Sequence, residues 1–138
     1  MQAHLEWQGN LKFCATTDSG HELVLNGSDA PADQAAGPSP MEALLASVGG
    51  CSSIDVVHIL KKSRQDVTGC RTEVSAERAE TAPRVFTDIH LHFIVSGNDL
   101  SEKHVARAVQ LSAEKYCSAA IMLSASVNIT HDYRIDPA

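Results

Sequence analysis

Two of the four cysteines stand where a sulfur could do chemistry. Cys51 lies in SVGGCSSIDVVHIL, Ser47 to Leu60, directly after Gly49-Gly50 and inside an apolar stretch that otherwise reads as helix. A glycine in a helix interior costs about 1 kcal/mol relative to alanine, so an adjacent pair asks for a reason. One reading is that the pair interrupts the helix and puts Cys51 in the first turn of a new segment. Unpaired N–H groups and the positive dipole end would then favour a thiolate, and Ser52 and Ser53 could add hydrogen bonds to the sulfur. The other reading is close packing, with Cys51 as filler. Cys117 falls near the end of a second helical pattern, after Glu114-Lys115-Tyr116 and before Ser118. A thiol on a separate core helix is a candidate resolving partner for Cys51. Glu114, three residues earlier, is either a polar neighbour of that pair or part of a surface salt bridge.

The remaining candidates are weaker. With no CxxC, no Cys/His zinc spacing and no dinucleotide glycine motif, the cysteines are judged singly. Cys14 and Cys70 fall within strands and read as small buried hydrophobes. Cys51, Asp55 and His58 share one helical stripe, which suggests a metal triplet or a nucleophile set. Seven residues span about 10 Å along a helix axis, too far for direct Cys–His contact. Asp55 and His58 are therefore expected to satisfy each other or a neighbouring strand. His90 and His92 share a strand face with Asp88, a spacing that can chelate a metal given a third ligand, although ordinary solvent-facing residues of a half-buried hairpin are the stronger reading.

The elements that must hold these residues follow from periodicity and turn chemistry. Residues 3–8, 11–17 and 21–26 read as short strands broken at Gly9-Asn10 and at Asp18-Ser19-Gly20. A polar loop of small residues, NGSDAPADQAAGPSP, is expected to be mobile. It ends in Ser39-Pro40-Met41-Glu42, a capping box with proline at the first helical position. The helix is expected to run from about residue 40 to 64. From Val67 the period becomes two. Cys70, Thr72, Val74 and Ala76 face one way, and after a turn near Ala82-Pro83 so do Val85, Thr87, Ile89, Leu91, Phe93 and Val95. This predicts a long hairpin with one dry face. Ser101 then caps a second helix ending near Cys117, and SAAIML leads to a last strand, SVNITHDYRI. The fold class is α+β, helices on antiparallel sheet, in a single domain over 1–138.

Composition narrows the function. The 138 residues are 43% hydrophobic, 20% charged and 4% aromatic, with net charge -6. No basic stripe is present, which argues against nucleic acid as a partner. The N-terminus lacks the layout of a signal peptide. The apolar run Met41–Leu60 carries Glu42, Asp55, His58 and several serines, so it makes a poor bilayer span. The expectation is a cytoplasmic protein with reduced thiols, one redox pair excepted, and no membrane partner.

Together, PSPMEALLASVGGCSSIDVVHILKK, the long hairpin and ARAVQLSAEKYCSAAIML resemble the OsmC/Ohr family of thiol-dependent peroxidases over nearly the whole chain, closest to its small members. The resemblance implies an intertwined α+β homodimer with antiparallel sheets packed on a long central helix and active sites at the interface. Cys51 would be the peroxidatic cysteine and Cys117 the resolving one. Family peroxidases place an arginine in the N-terminal strands. This chain has none before Arg64, and Lys12 is the only lysine or arginine ahead of it. The family's glutamate after the helix-starting proline is replaced by Met41, with the acid one residue later at Glu42.

The expected activity is two-cysteine reduction of hydroperoxides, most readily organic ones. An external dithiol would recycle the pair, with a lipoylated protein as the reductant the resemblance implies, and with no metal, flavin or haem. Lys12, Glu42 and Glu114 are the expected supporting residues. The alternative is a non-peroxidatic protein that binds a small apolar ligand or senses redox state.

Overall fold

Three short strands open the chain because turn residues stand where alternation stops. In the computed structural model, which describes residues 1–27, 29, 31 and 33–138, these are β1 (Ala3–Trp7), β2 (Lys12–Thr17) and β3 (Glu22–Asn26), an antiparallel sheet in that order. Gly9, Asn10 and Gly20 take positive φ at the two turns, the backbone that tight hairpins require. Register aligns Leu5–Ala15–Leu23 and Trp7–Phe13–Leu25 across the three strands, so one face carries two apolar rows. The mobility expected for NGSDAPADQAAGPSP falls partly on Ser28, Ala30 and Ala32, which lie outside the described residues. The capping box forms as read. Ser39 donates its N–H to the Glu42 carboxylate at 2.8 Å, and the Glu42 N–H donates to Ser39 Oγ at 3.2 Å.

The described residues form two compact units, Met1–Leu45 and Ala46–Ala138. Helix α1 (Pro40–Lys62) starts in the first and continues through the second. It is unbroken at Gly49-Gly50 and ends at Lys62, beyond which Arg64 takes φ +59°. By length and mean hydropathy (1.6) α1 could cross a membrane, but in the second unit Val48, Val56 and Leu60 are fully buried core residues.

The expected hairpin is β4 (Asp66–Arg78) paired antiparallel with β5 (Phe86–Asn98). Ile89, Leu91, Phe93 and Val95 are buried as the alternation requires, each worth about 1.5–3 kcal/mol relative to exposure. Val85 and Thr87 depart from that pattern. They are exposed while Phe86 is buried, because a register shift between Glu77 and Arg78 moves the strand end out of phase. The chain then forms α2 (Glu102–Leu111), a π-helical turn (Ser112–Tyr116) and α3 (Ser118–Leu123) before β6 (Asn128–Pro137). Ser101 sits at the N-cap of α2 without a side-chain capping bond. Its N–H donates instead to Gln65 Oε1.

One expectation fails here. β6 runs parallel to β5, not antiparallel, in the order β4-β5-β6. The helices between them form the crossover that a parallel pair needs.

The glycine pair also resolves residue by residue. A methyl on Gly49 would meet Val74 Cγ2 at 2.7 Å, whereas nothing lies within 4 Å of the same position on Gly50. Gly49 therefore serves close approach of α1 to β4. The expected outcome for Gly49→Ala is a loss of about 1–3 kcal/mol, the usual cost of overpacking. Gly50→Ala should gain up to about 1 kcal/mol of helix propensity. Chemical denaturation of both variants checks this, and a Gly49→Ala protein as stable as the parent would refute the packing account.

Candidate active site: a clasped pair of thiols

Residue Cys51 lies in the middle of α1, so the expected helix start at this sulfur is not there. The helix start occurs at the other cysteine. A π-helical turn forms where the Cys117 N–H donates to Ser112 O at 2.8 Å, five residues back. Cys117 then becomes extended (φ -72°, ψ 100°) and caps α3, its Sγ accepting from the Ala120 N–H at 3.3 Å. This widened turn is a local irregularity of the kind often found at functional sites.

Two serines tie the segment to α1. Ser52 donates its hydroxyl to Cys117 Sγ at 3.1 Å, and Ser112 donates its own to Ser52 O, also at 3.1 Å. Cys117 and Ser112 are 0% exposed and Ser52 is 1% exposed. The sequence suggested that Ser52 and Ser53 would support Cys51. Ser52 instead serves Cys117, because it lies about 100° around the helix from its neighbour. Ser53 donates to Gly49 O and shares a hydrogen bond with Thr72 Oγ1. Sequence reasoning missed Ser112; the available signal was a small hydroxyl on the helical pattern five residues before Cys117.

The clasp brings the two sulfurs together. Cys51 Sγ, Cys117 Sγ and an Asp55 carboxylate oxygen all lie within 4.8 Å of one another, and all four thiols are free. Cys51 is half-buried and Cys117 fully buried. Burial pushes the Cys117 thiol up; hydrogen bonds from Ser52 and Ala120 oppose the rise and nearby Cys51 adds to it. Cys117 is thus held as a thiol in neutral solution, while Cys51 is the sulfur a solute reaches first. Burial likewise pushes the Cys70 thiol up, offset in part by Thr72; Cys14 and Cys70 are half-buried rather than buried as expected, Cys70 packing against the edge of the core.

Asp55 departs from expectation. Its Oδ2 is buried without a hydrogen-bond partner among the described residues, and it lies with the sulfurs rather than being satisfied by His58. With two thiols and one carboxylate the trio falls short of the four-ligand shell of a structural zinc site. Glu114 is exposed, its carboxylate accepting from Gln110 on the surface. Glu42 is engaged in the capping box. Lys12, half-buried in β2, and Glu42 belong to the first unit. His90 and His92 both hydrogen-bond to Asp132 Oδ1, at 3.1 and 2.5 Å, and His90 also meets Thr130 Oγ1. Those contacts hold the Asp132 carboxyl below its ordinary range and form a polar ladder on the outer side of the sheet.

Known proteins agree with this architecture. The family described as OsmC-like protein matches residues 31–132. Protein YhfA of Escherichia coli strain K12 is 54% identical over 135 residues, 98% of each chain. A solved structure of a hypothetical protein from Aquifex aeolicus VF5 is 32% identical with a TM-score of 0.87, covering 99% of this chain and 96% of that one. The organic hydroperoxide resistance protein OhrB of Bacillus subtilis shares the fold at 18% identity and a TM-score of 0.64, covering 97% and 98%. With one family spanning the helix of Cys51, the β4–β5 hairpin and the segment of Cys117, the chain belongs to the OsmC-like proteins.

Proposed function

We propose that this protein reduces organic hydroperoxides by a two-cysteine cycle, working as a cytoplasmic homodimer of one OsmC-like domain per chain. The observation that carries the reading is the separation of the two sulfurs, within 4.8 Å while both are free thiols. A disulfide needs about 2.05 Å, so a small side-chain movement closes the pair. Cys51 attacks the peroxide and becomes a sulfenic acid, and Cys117 condenses with it. An external dithiol, carried on a lipoylated protein, then restores both thiols by exchange. The family includes proteins named for organic hydroperoxide resistance, which supports this chemistry. The absence of an arginine before Arg64 favours the second reading, a ligand-binding or redox-sensing protein with the same pair.

Exposed apolar side chains support the dimer. Leu5, Trp7, Phe13 and Leu23 lie on one face of the first sheet with Trp7 67% exposed, and in the second unit Ile54 and Met122 are 71% and 68% exposed. Contiguous exposed apolar surface of this kind marks association sites. Light scattering at micromolar concentration should give twice the chain mass of 14.8 kDa; a monomeric mass removes this part of the proposal.

For the sulfurs, one equivalent of organic hydroperoxide should link Cys51 to Cys117 and leave Cys14 and Cys70 free. Cys117→Ser should trap Cys51 as a sulfenic acid open to overoxidation. Peptide mapping that places Cys14 or Cys70 in the disulfide overturns the assignment. A reduced pair left unchanged by hydroperoxide favours the second reading.

A structural prediction goes with it. Ser52→Ala removes a hydroxyl that is hydrogen-bonded in a dry interior, which should cost about 1 kcal/mol of stability. It should also loosen Cys117, so that alkylation of Cys117 in the native state rises above the protected rate of the parent. An unchanged rate would mean that the clasp does not fix this sulfur.

A further inference from the structure

Asp55 is the one buried polar side-chain atom among the described residues that lacks a partner, and a buried carboxylate oxygen in that state is costly. It sits one helical turn from Cys51 with its carboxylate within 4.8 Å of both sulfurs. The same residue lines a groove of about 400 Å³ together with His58, Ile59, Lys62, Ser63, Leu111 and Tyr116. Asp55 therefore joins the enclosed thiol pair to an opening that solvent reaches. Its unpaired oxygen points to a group that exchanges protons with the sulfurs rather than one fixed in a structural hydrogen bond.

We infer that Asp55 is the proton carrier of the Cys51–Cys117 pair, taking a proton from each thiol in turn and returning it to each leaving oxygen. The inference rests on the two-cysteine reading above. In the first step the Cys51 S–H proton passes to the Asp55 carboxylate. The sulfur's electron pair bonds to the terminal oxygen of R–O–O–H, and the O–O bond breaks. The departing R–O⁻ takes the proton from Asp55 and leaves as R–OH, with Cys51 oxidised to S–OH. In the second step the Cys117 proton passes to Asp55 and its sulfur bonds to the Cys51 sulfur. The S–O bond then breaks, and hydroxide takes the proton and leaves as water. The two thiols lose two electrons and the hydroperoxide gains them. Cys117, whose burial favours the protonated thiol, is the sulfur that most needs such an acceptor. His58, Lys62 and Tyr116, the other titratable groups of the groove, border its solvent side.

The chemistry supplies a test in which two rates move differently. A carboxylate beside a thiolate disfavours it by like charge, yet as acid–base partner it is worth on the order of a hundredfold in rate. In Asp55→Asn, closure of the Cys51–Cys117 disulfide by tert-butyl hydroperoxide at pH 7 should slow at least tenfold. Alkylation of Cys51 by iodoacetamide under the same conditions, where iodide leaves without needing a returned proton, should slow less than closure does or not at all. Asp55→Glu, which keeps a carboxylate, should close within a few-fold of the parent. Parallel slowing of closure and alkylation, a closure rate in Asp55→Asn equal to the parent's, or an Asp55→Glu protein as slow as Asp55→Asn each overturns the inference. If the parent protein forms no Cys51–Cys117 disulfide with the hydroperoxide, the two-cysteine reading fails first and the inference falls with it.

Discussion

Inside the second unit, a serine hydroxyl donates to a cysteine sulfur where no water can replace it, and the arrangement of the reactive groups follows from that contact. Ser52 Oγ holds Cys117 Sγ from one side, the Ala120 N–H holds it from another, and Ser112 returns a hydrogen bond to the Ser52 carbonyl. Each partner is buried, so breaking any one bond leaves a polar group unpaired in a dry interior, at a cost of about 1–3 kcal/mol. The clasp fixes the rotation of α1 about its axis. That rotation determines that Cys51 and Asp55, one turn apart, both come to Cys117. Close approach of the helix to β4 at Gly49, one turn before Ser52 on the same face, limits the same rotation.

Local rules made the frame of the fold legible. Turn glycines bounded the first three strands, Ser39, Pro40 and Glu42 marked the start of α1, and period-two alternation marked β4 and the middle of β5. These signals are carried by residues close together in the chain. The parallel pairing of β6 was missed although two helices between strands are the usual sign of a crossover, because the alternation in NITHDYRI fits either direction. The capping role of Ser101 was overrated for a related reason. Residue type offered a cap, but a partner 36 positions away, Gln65, took the backbone donor.

The candidate site was half legible. Cys51 could be singled out by the glycine pair before it, and Cys117 as a second thiol on a separate helical pattern, yet the physical reason assigned to Cys51 belongs to Cys117. A glycine pair in a helix signals either a break or a close neighbour, and only the position of Val74 in space decides between them. Asp55 was visible as the i+4 neighbour of Cys51. Its direction toward the sulfurs was not, because that depends on how far α1 is turned against elements distant in sequence.

The π-helical turn at Ser112–Tyr116 carries a consequence for how the chain can change in length. Such a turn holds one residue more than the α-helix it interrupts, so the Cys117 N–H reaches the carbonyl of Ser112 five residues back. Losing one position between 113 and 116 would turn that bond into the ordinary α-helical one and leave the cysteine close to its present phase. An insertion has no further slack to absorb it and would turn the sulfur about 100° away. The loop between β4 and β5 carries no such phase, since a change there alters only the length of an exposed connection. Tolerance to length is thus two-sided at one end of the hairpin and one-sided beside Cys117, a spacing rule imposed by helical phase and independent of which side chains fill the turn.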